Sequence, residues 1–292
     1  MNYPWEGPGG TPVLYDWAFA SRCGAGCPYC FSHAGYTAQA EAGARWWTDQ
    51  QAVTAWAAVA EKYGEGLVIF TGLEPTNELQ LVGRVLQYHK GCLRTNLACD
   101  MDELRRKVPH ARASIQPSFH PHLWGMETGP FLDRLRLLKA DGYKIGRVVI
   151  VAWPPYIPRL AQWIPEILDV AQRVDVFACR GCTYQGRALP EGYTQEERKT
   201  LSQFLAKFYR EDATFQPLKI SSCGAGMATV CIMLDGSVWR CAQVHGMGGQ
   251  NLMRDCGLML ESNPMPCDQE SCRCDHLHVY HITEGTEGNA KA

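Results

Sequence analysis

The chain has 292 residues, 46% of them hydrophobic and 20% charged, with a formal net charge of -2. That length holds one large core or a barrel-sized domain with a smaller appendage, and the even charge balance excludes the Lys and Arg excess of a typical nucleic-acid binder. No stretch approaches the ~18 consecutive apolar residues of a membrane span, and the start Met1-Asn2-Tyr3-Pro4-Trp5-Glu6 has neither a basic run nor an apolar signal core, so the expectation is a cytoplasmic protein with no membrane or nucleic-acid partner.

From residue 12 to about residue 212, short apolar or β-branched runs alternate with helical patterns. Residues 13–19 read as a first strand ending just before Cys23. A capping box, Thr48 with Gln51, opens a helix to residue 61, and Gly64 stops it. Residues 67–70 read as a buried strand, followed by the turn Thr71-Gly72-Leu73-Glu74-Pro75 and a helix over 77–88. The alternation continues with a strand over 93–97, a short helix over 101–107, a strand over 113–117 and a helix over 130–140 stopped by Gly142. A strand over 147–152, a helix over 157–172 and a strand over 174–178 follow. A second capping box, Thr194 with Glu197, starts a helix to about residue 209.

Six β/α units in series make a parallel sheet with its chemistry at the C-terminal ends of the strands, and both a closed barrel and an open sheet fit the periodicity. After residue 213 the long helices stop and Cys, Gly and Met become frequent. There, residues 229–233 and 237–240 around Asp235-Gly236 read as a tight β-hairpin. The expected division is therefore 1–212 and 213–292, the second part small and metal-stapled.

Fourteen cysteines are unusual for such a chain. In a cytosolic protein, clustered cysteines bind metal more often than they form disulfides. Three fall between Cys23 and Cys30 and seven between Cys223 and Cys274, which points to two metal sites. Cys23, Cys27 and Cys30 lie in one loop after a strand. Three thiolates can bind three irons of a four-iron cubane and leave the fourth open for chemistry. Gly24 and Gly26 allow the backbone to wrap around such a group. A zinc ribbon is the alternative, but its paired CxxC spacing differs from the uneven spacing here.

The CxxxCxxC spacing, with Tyr29 before the last cysteine and Phe31 after it, resembles the signature of the radical S-adenosylmethionine (SAM) superfamily. By that resemblance Cys23, Cys27 and Cys30 ligate a [4Fe-4S] cluster whose open iron takes the amino and carboxylate groups of SAM. Thr71-Gly72-Leu73-Glu74-Pro75 resembles the family's Gly-Gly-Glu-Pro turn, with Leu73 in place of the second glycine. The resemblance assigns Gly72 and Glu74 to the SAM amino group, and Asn96 and Ser114 to methionine or ribose contacts at the ends of the third and fourth strands. It implies a partial (β/α)6 TIM-type barrel carrying a small C-terminal cysteine-rich Fe–S domain.

The segment from Cys223 through the Gly236 hairpin to Cys241 is similar to the opening of SPASM and Twitch domains. This similarity implies one auxiliary [4Fe-4S] cluster on Cys223 and Cys241, completed from among Cys267, Cys272 and Cys274, with Cys256 undecided. Zinc is the alternative at this end. The implied chemistry is reductive cleavage of SAM to a 5′-deoxyadenosyl radical, which abstracts hydrogen from an unactivated C–H bond of a small molecule or peptide. Oxidation, cross-linking or epimerisation would follow, with electrons from a flavodoxin- or ferredoxin-type donor. Epimerisation needs a hydrogen-atom donor, and Cys179 and Cys182, after the sixth strand, are the candidates. His120-Pro121-His122-Leu123-Trp124 follows the fourth strand as candidate pocket lining. The rival class is a non-catalytic iron–sulfur or zinc protein used in electron transfer or scaffolding.

Overall fold

In the computed structural model, which describes residues 13–30, 33–205, 222–241, 247, 249–262 and 281–282, strands and helices alternate along most of the chain. Strand β1 (Leu14–Ala20) is followed by α1 (His33–Glu41), α2 (Asp49–Tyr63), β2 (Leu67–Gly72), α3 (Leu79–Val85) and β3 (Lys90–Thr95). Next come α4 (Met101–Lys107), β4 (Ala113–Phe119), α5 (Gly129–Ala140), the short β5 (Lys144–Ile145), β6 (Arg147–Ala152), α6 (Leu160–Leu168) and β7 (Arg173–Ala178). A small hairpin, β8 (Thr183–Tyr184) with β9 (Arg187–Ala188), precedes α7 (Gln195–Leu201). The remainder holds β10 (Ser222–Cys223), β11 (Thr229–Ile232), β12 (Val238–Trp239), α8 (Leu252–Asp255) and β13 (His281–Ile282).

The main sheet runs β12-β11-β1-β2-β3-β4-β6-β7 with β5 beside β4, and every pairing except β11–β12 is parallel. It is a mixed α/β fold whose mostly parallel sheet fits a partial TIM-type barrel. Among the described residues, no helix is long and apolar enough to cross a membrane.

The strands present two unlike faces. In β3 and β6 burial alternates with period two, and in β4 the buried Gln116 interrupts the alternation. Leu93, Ile115, Phe119, Val148 and Ile150 are fully buried in the main core. The opposite face carries Arg94, Ser118 and Val151, which line a cavity. A separate small cluster of Leu14, Leu67 and Ile69, with Cys92 against it, lies toward the N-terminal ends of the first three strands. The large core centres on aromatic residues: Trp17 stacks on Phe19 at 4.3 Å and meets Trp56 edge-on at 5.2 Å. Aromatic pairs in such geometries add about 0.5–1.5 kcal/mol beyond the area they bury.

Both capping boxes form. Gln51 N–H donates to Thr48 Oγ1 at 3.2 Å, and Glu197 N–H donates to Thr194 Oγ1 at 3.1 Å, each with the reciprocal bond to the cap backbone. The helix expected over 77–88 begins as a 3-10 turn, Pro75–Glu78, and that expected over 157–172 begins as another, Pro154–Arg159. Proline at the first position favours both turns, because its missing N–H is spared at a helix N-terminus. The last barrel helix ends at Leu201, and residues 206–209 of its expected span lie outside the described residues.

The hairpin expected at 229–240 forms, as β11 and β12. It does not stand apart from the barrel strands: β11 pairs in parallel with β1, from Leu14↔Thr229 to Trp17↔Ile232, and so extends the parallel run beyond the six strands expected. Trp47 Nε1–H donates to the Leu234 carbonyl at 2.8 Å, and Tyr63 hydroxyl to the Leu258 carbonyl at 2.8 Å.

Candidate functional site

A cavity of about 680 Å³ opens at the C-terminal ends of β1, β2, β3, β4, β6 and β7. This is the end where parallel α/β folds place their chemistry. Cys23, Cys27 and Cys30 all line it, on the loop that leaves β1. Cys30 N–H donates to the Cys27 carbonyl at 3.1 Å, closing a tight turn, and Gly26 takes a left-handed φ of 58° that lets the loop double back. Ala25 N–H and Asn96 Nδ2 both point at Cys23 Sγ, at 3.4 and 3.7 Å.

The three thiols are half-buried and line one cavity. Burial pushes the Cys27 thiol up to about 12, with Cys30 and Cys23 adding to the shift, and burial likewise raises Cys23. A compact cation beside them would reverse that balance, which is the donor chemistry a metal cluster needs. Among the described residues, no three His, Cys, Asp or Glu side chains converge on a point that would hold a single metal ion. A cubane takes each thiolate at a separate iron, and three thiols set around one cavity meet that requirement.

Across the cavity from this loop lies the turn after β2. Gly72 has φ 113°, and a Cβ there would come 2.4 Å from the Ala20 carbonyl, so β1 and β2 approach each other closely at the site. Leu73 N–H donates to that same carbonyl at 2.7 Å. Glu74 is buried, and its carboxylate accepts from Thr76 N–H (3.1 Å), the Thr76 hydroxyl (2.7 Å) and Asn96 N–H (2.9 Å). Burial raises its proton affinity in spite of these donors. The Thr95 side chain adds a further donor, so the carboxylate is held from β3 as well as from its own turn.

Asn96 joins the two walls: its N–H holds Glu74, its amide reaches Cys23, and its Oδ1 accepts from Ala98 N–H at 2.8 Å. Ser114 does not reach the cavity lining. It sits near the start of β4 and donates to the Gly91 carbonyl, whereas Ser118, four residues along the same face, lines the cavity. The strand continues two residues past its expected end, and that moves the site end from Ser114 to Ser118.

Cys179 and Cys182 flank the Arg180-Gly181 pair that lines the cavity, but their own side chains do not line it. Cys179 is buried in the core, and Cys182 Sγ–H donates to the Tyr29 carbonyl at 3.0 Å, behind the cysteine loop. Both histidines of the 120–124 segment meet that loop. His120 Nδ1 lies 2.8 Å from the Tyr29 hydroxyl and 3.5 Å from Cys27 Sγ, and burial lowers its proton affinity, to about 4. His122 Nε2 reaches the Ala25 carbonyl at 2.9 Å, and its Nδ1 the Tyr156 hydroxyl at 3.1 Å. Sequence reasoning missed Tyr156 and Ser118, and it gave Arg94 and Arg180 no role. A strand-end register carried two residues further would have found Ser118. Phe31 lies outside the described residues.

At the C-terminal end, Cys223 sits in a Cys-Gly-Ala-Gly turn of the same sequence as Cys23-Gly24-Ala25-Gly26. Ala225 N–H points at Cys223 Sγ at 3.4 Å, as Ala25 N–H does at Cys23. Arg240, adjacent to Cys241, donates to the Ala225 carbonyl at 2.8 Å and the Cys223 carbonyl at 3.2 Å, so the two cysteine segments are tied together. Cys231 is buried on β11, and Cys256 is exposed. Cys267, Cys272 and Cys274 lie outside the described residues.

The fold and site together define an α/β partial barrel with a three-cysteine loop over the C-terminal strand ends. Solved structures share this fold. The chain is similar to "Native anSMEcpe with bound AdoMet" at a TM-score of 0.56 and 13% identity, over 82% of this chain and 78% of that one. It is similar to the same protein with bound AdoMet and the Cp18Cys peptide, also at 0.56 and 13%, over 83% and 78% of the two chains. With AdoMet and the Kp18Cys peptide the TM-score is 0.55, at 13% identity over 83% and 78%. At this identity the likeness shows the fold. No family model matches the sequence, and no curated protein matches it.

Proposed function

We propose that this chain is a radical SAM enzyme. The observation that carries the reading is the link from Glu74 through Asn96 to Cys23, which ties the β2 turn, the β3 end and the cysteine loop around one cavity. Cys23, Cys27 and Cys30 would hold a [4Fe-4S] cluster, and Gly72, Glu74 and Asn96 the SAM beside it. The chemistry these groups supply when bound is reductive cleavage of SAM and hydrogen abstraction from an unactivated C–H bond. The protein's own residues position and enclose. Glu74 places a carboxylate on the lining for the SAM amino group, Gly72 lets the backbone come close, and Val151 and Phe177 keep one wall apolar. Arg180 and Arg94, the latter ion-paired with Asp16 at 3.7 Å, lie on the lining, where a guanidinium suits an anionic group on SAM or on the substrate.

The substrate is a small molecule or a peptide, and the outcome we favour is oxidation. Epimerisation asks for a thiol facing the substrate, while Cys182 is turned to the Tyr29 carbonyl and Cys179 is packed in the core. Oxidation asks for an electron exit, which an auxiliary [4Fe-4S] cluster on Cys223, Cys241 and further C-terminal cysteines would provide. A flavodoxin- or ferredoxin-type protein is the proposed donor.

The test is anaerobic reconstitution with iron and sulfide, then dithionite and SAM, with 5′-deoxyadenosine followed by mass spectrometry. Wild type should form it, and a Cys23/Cys27/Cys30→Ala triple variant should not. A wild type that holds iron and never cleaves SAM would move the chain to the electron-transfer or scaffold class, and one that holds only zinc would end the reading.

A further inference from the structure

His120 and His122 stand out because neither is needed to build the barrel, yet both touch the cysteine loop. The directions of their hydrogen bonds can be worked out from the fixed end. The Ala25 carbonyl only accepts, so His122 Nε2, 2.9 Å away, is the N–H nitrogen. In a neutral imidazole Nδ1 is then an acceptor, and the Tyr156 hydroxyl, 3.1 Å from it, must donate. The Tyr156 ring packs edge-on against that of Tyr29, with centroids 5.8 Å apart.

A ligating thiolate only accepts hydrogen bonds, and that decides the role of His120. If Nδ1 were a bare acceptor of the Tyr29 hydroxyl, it would face the Cys27 thiolate lone pair to lone pair at 3.5 Å. With the hydrogen on His120 Nδ1, it is directed at the Tyr29 oxygen, 2.8 Å away, and at Cys27 Sγ.

We infer that His120 is a positioning residue for the cysteine loop: its Nδ1–H donates to the Cys27 sulfur and so sets the reduction potential of the cluster held there. The inference rests on the radical SAM reading above. Hydrogen bonds to a ligating sulfur stabilise the more negative, reduced state, and they are one of the means by which a protein tunes such clusters.

The test is a redox titration of the reconstituted protein, following the reduced cluster by electron paramagnetic resonance. His120→Leu should shift the midpoint to more negative potential and leave less cluster reduced by a given dose of dithionite. His120→Asn, whose amide nitrogen occupies the place of Nδ1, should return the midpoint toward wild type. A His120→Leu midpoint equal to wild type at equal iron content overturns the inference, and so does an Asn variant that behaves like Leu. If His120→Leu takes up no cluster, wild-type protein labelled with [15N]histidine decides. A weak nitrogen coupling to the reduced cluster supports the bond, and its absence refutes it. A wild type that never binds a cluster would overturn the radical SAM reading itself, a failure distinct from an unshifted midpoint.

Discussion

Gly72 and Glu74 sit two residues apart in the turn after β2 and are constrained in opposite ways. At Gly72 φ is positive and a Cβ would also meet Ala20 N at 2.7 Å; its nearest neighbours are all Ala20 backbone, not the end of a flexible side chain. Gly72→Ala should therefore cost about 1–3 kcal/mol, the range for overpacked sites, read as a lower urea midpoint, and should weaken SAM binding in equilibrium dialysis. At Glu74 the constraint is one of acceptors. Both carboxylate oxygens take backbone N–H groups, from Thr76 and from Asn96. Glu74→Gln turns one oxygen into an NH2 facing a donor, which leaves a buried N–H unpaired at about 1–3 kcal/mol. That variant should lose SAM affinity more than it loses cluster content, since Cys23 keeps its Ala25 contact. Much of this turn was legible, because Gly-x-Glu-Pro after a strand names the residues that a close approach and a carboxylate clamp require. Ser114 lies away from the cavity lining for a local reason. Side chains on one face of a strand recur every two residues, so strand length alone decides which serine reaches the rim.

At the scale of elements, the two capping boxes and β6 could be read directly, because their determinants lie within a few residues of one another. Thr48→Ala removes the side-chain acceptor at the N-terminus of α2 and is expected to cost about 1 kcal/mol, read in the same denaturation experiment. The pairing of β11 with β1 was not legible, since it joins segments more than 200 residues apart and periodicity carries no information about partners. The same holds for the His120 and His122 contacts, which bring the end of β4 onto the loop after β1. The β1–β11 pairing bears on any attempt to isolate the barrel. A chain cut after residue 212 lacks the partner for Leu14 to Trp17 and leaves Trp47 without the Leu234 carbonyl. An unpaired apolar strand edge is a template for association. Such a fragment should elute as aggregate in size-exclusion chromatography, whereas the full chain should not, and a soluble monomeric fragment would show that β11 contributes little.

At the scale of the whole molecule, buried polar groups differ in how they are matched: among the described residues the Tyr15 hydroxyl and the indole nitrogens of Trp17, Trp56 and Trp163 find no hydrogen-bond partner, whereas His89 is paired at both ring nitrogens, with a consequence for acid stability. His89 is fully buried between α3 and β3, beside the rings of Tyr15 and Trp56. Its Nδ1 accepts from Gly66 N–H at 3.1 Å, and its Nε2 donates to the Trp56 carbonyl at 2.9 Å, so it is held as a neutral imidazole. Burial lowers its proton affinity below the ordinary 6.5, with Arg112 adding to the shift and the Trp56 carbonyl and Glu65 opposing it. The unfolded chain therefore binds a proton that the native state refuses once the pH falls below about 6.5. Stability from this site is complete above that value and is lost as the pH falls toward the native value, at no more than about 1.4 kcal/mol per pH unit. Between pH 6.5 and 5 most carboxylates stay ionised, so a histidine signal can be separated there. His120 has the same sign, and a comparison with His89→Asn isolates His89. The Asn carbonyl can still accept from Gly66, but the Trp56 carbonyl loses its donor. That variant should be less stable at pH 7 by about 1–3 kcal/mol and should lose less of its urea midpoint between pH 6.5 and 5 than wild type. Parallel slopes in the two proteins would mean that His89 accepts its proton without leaving the native structure.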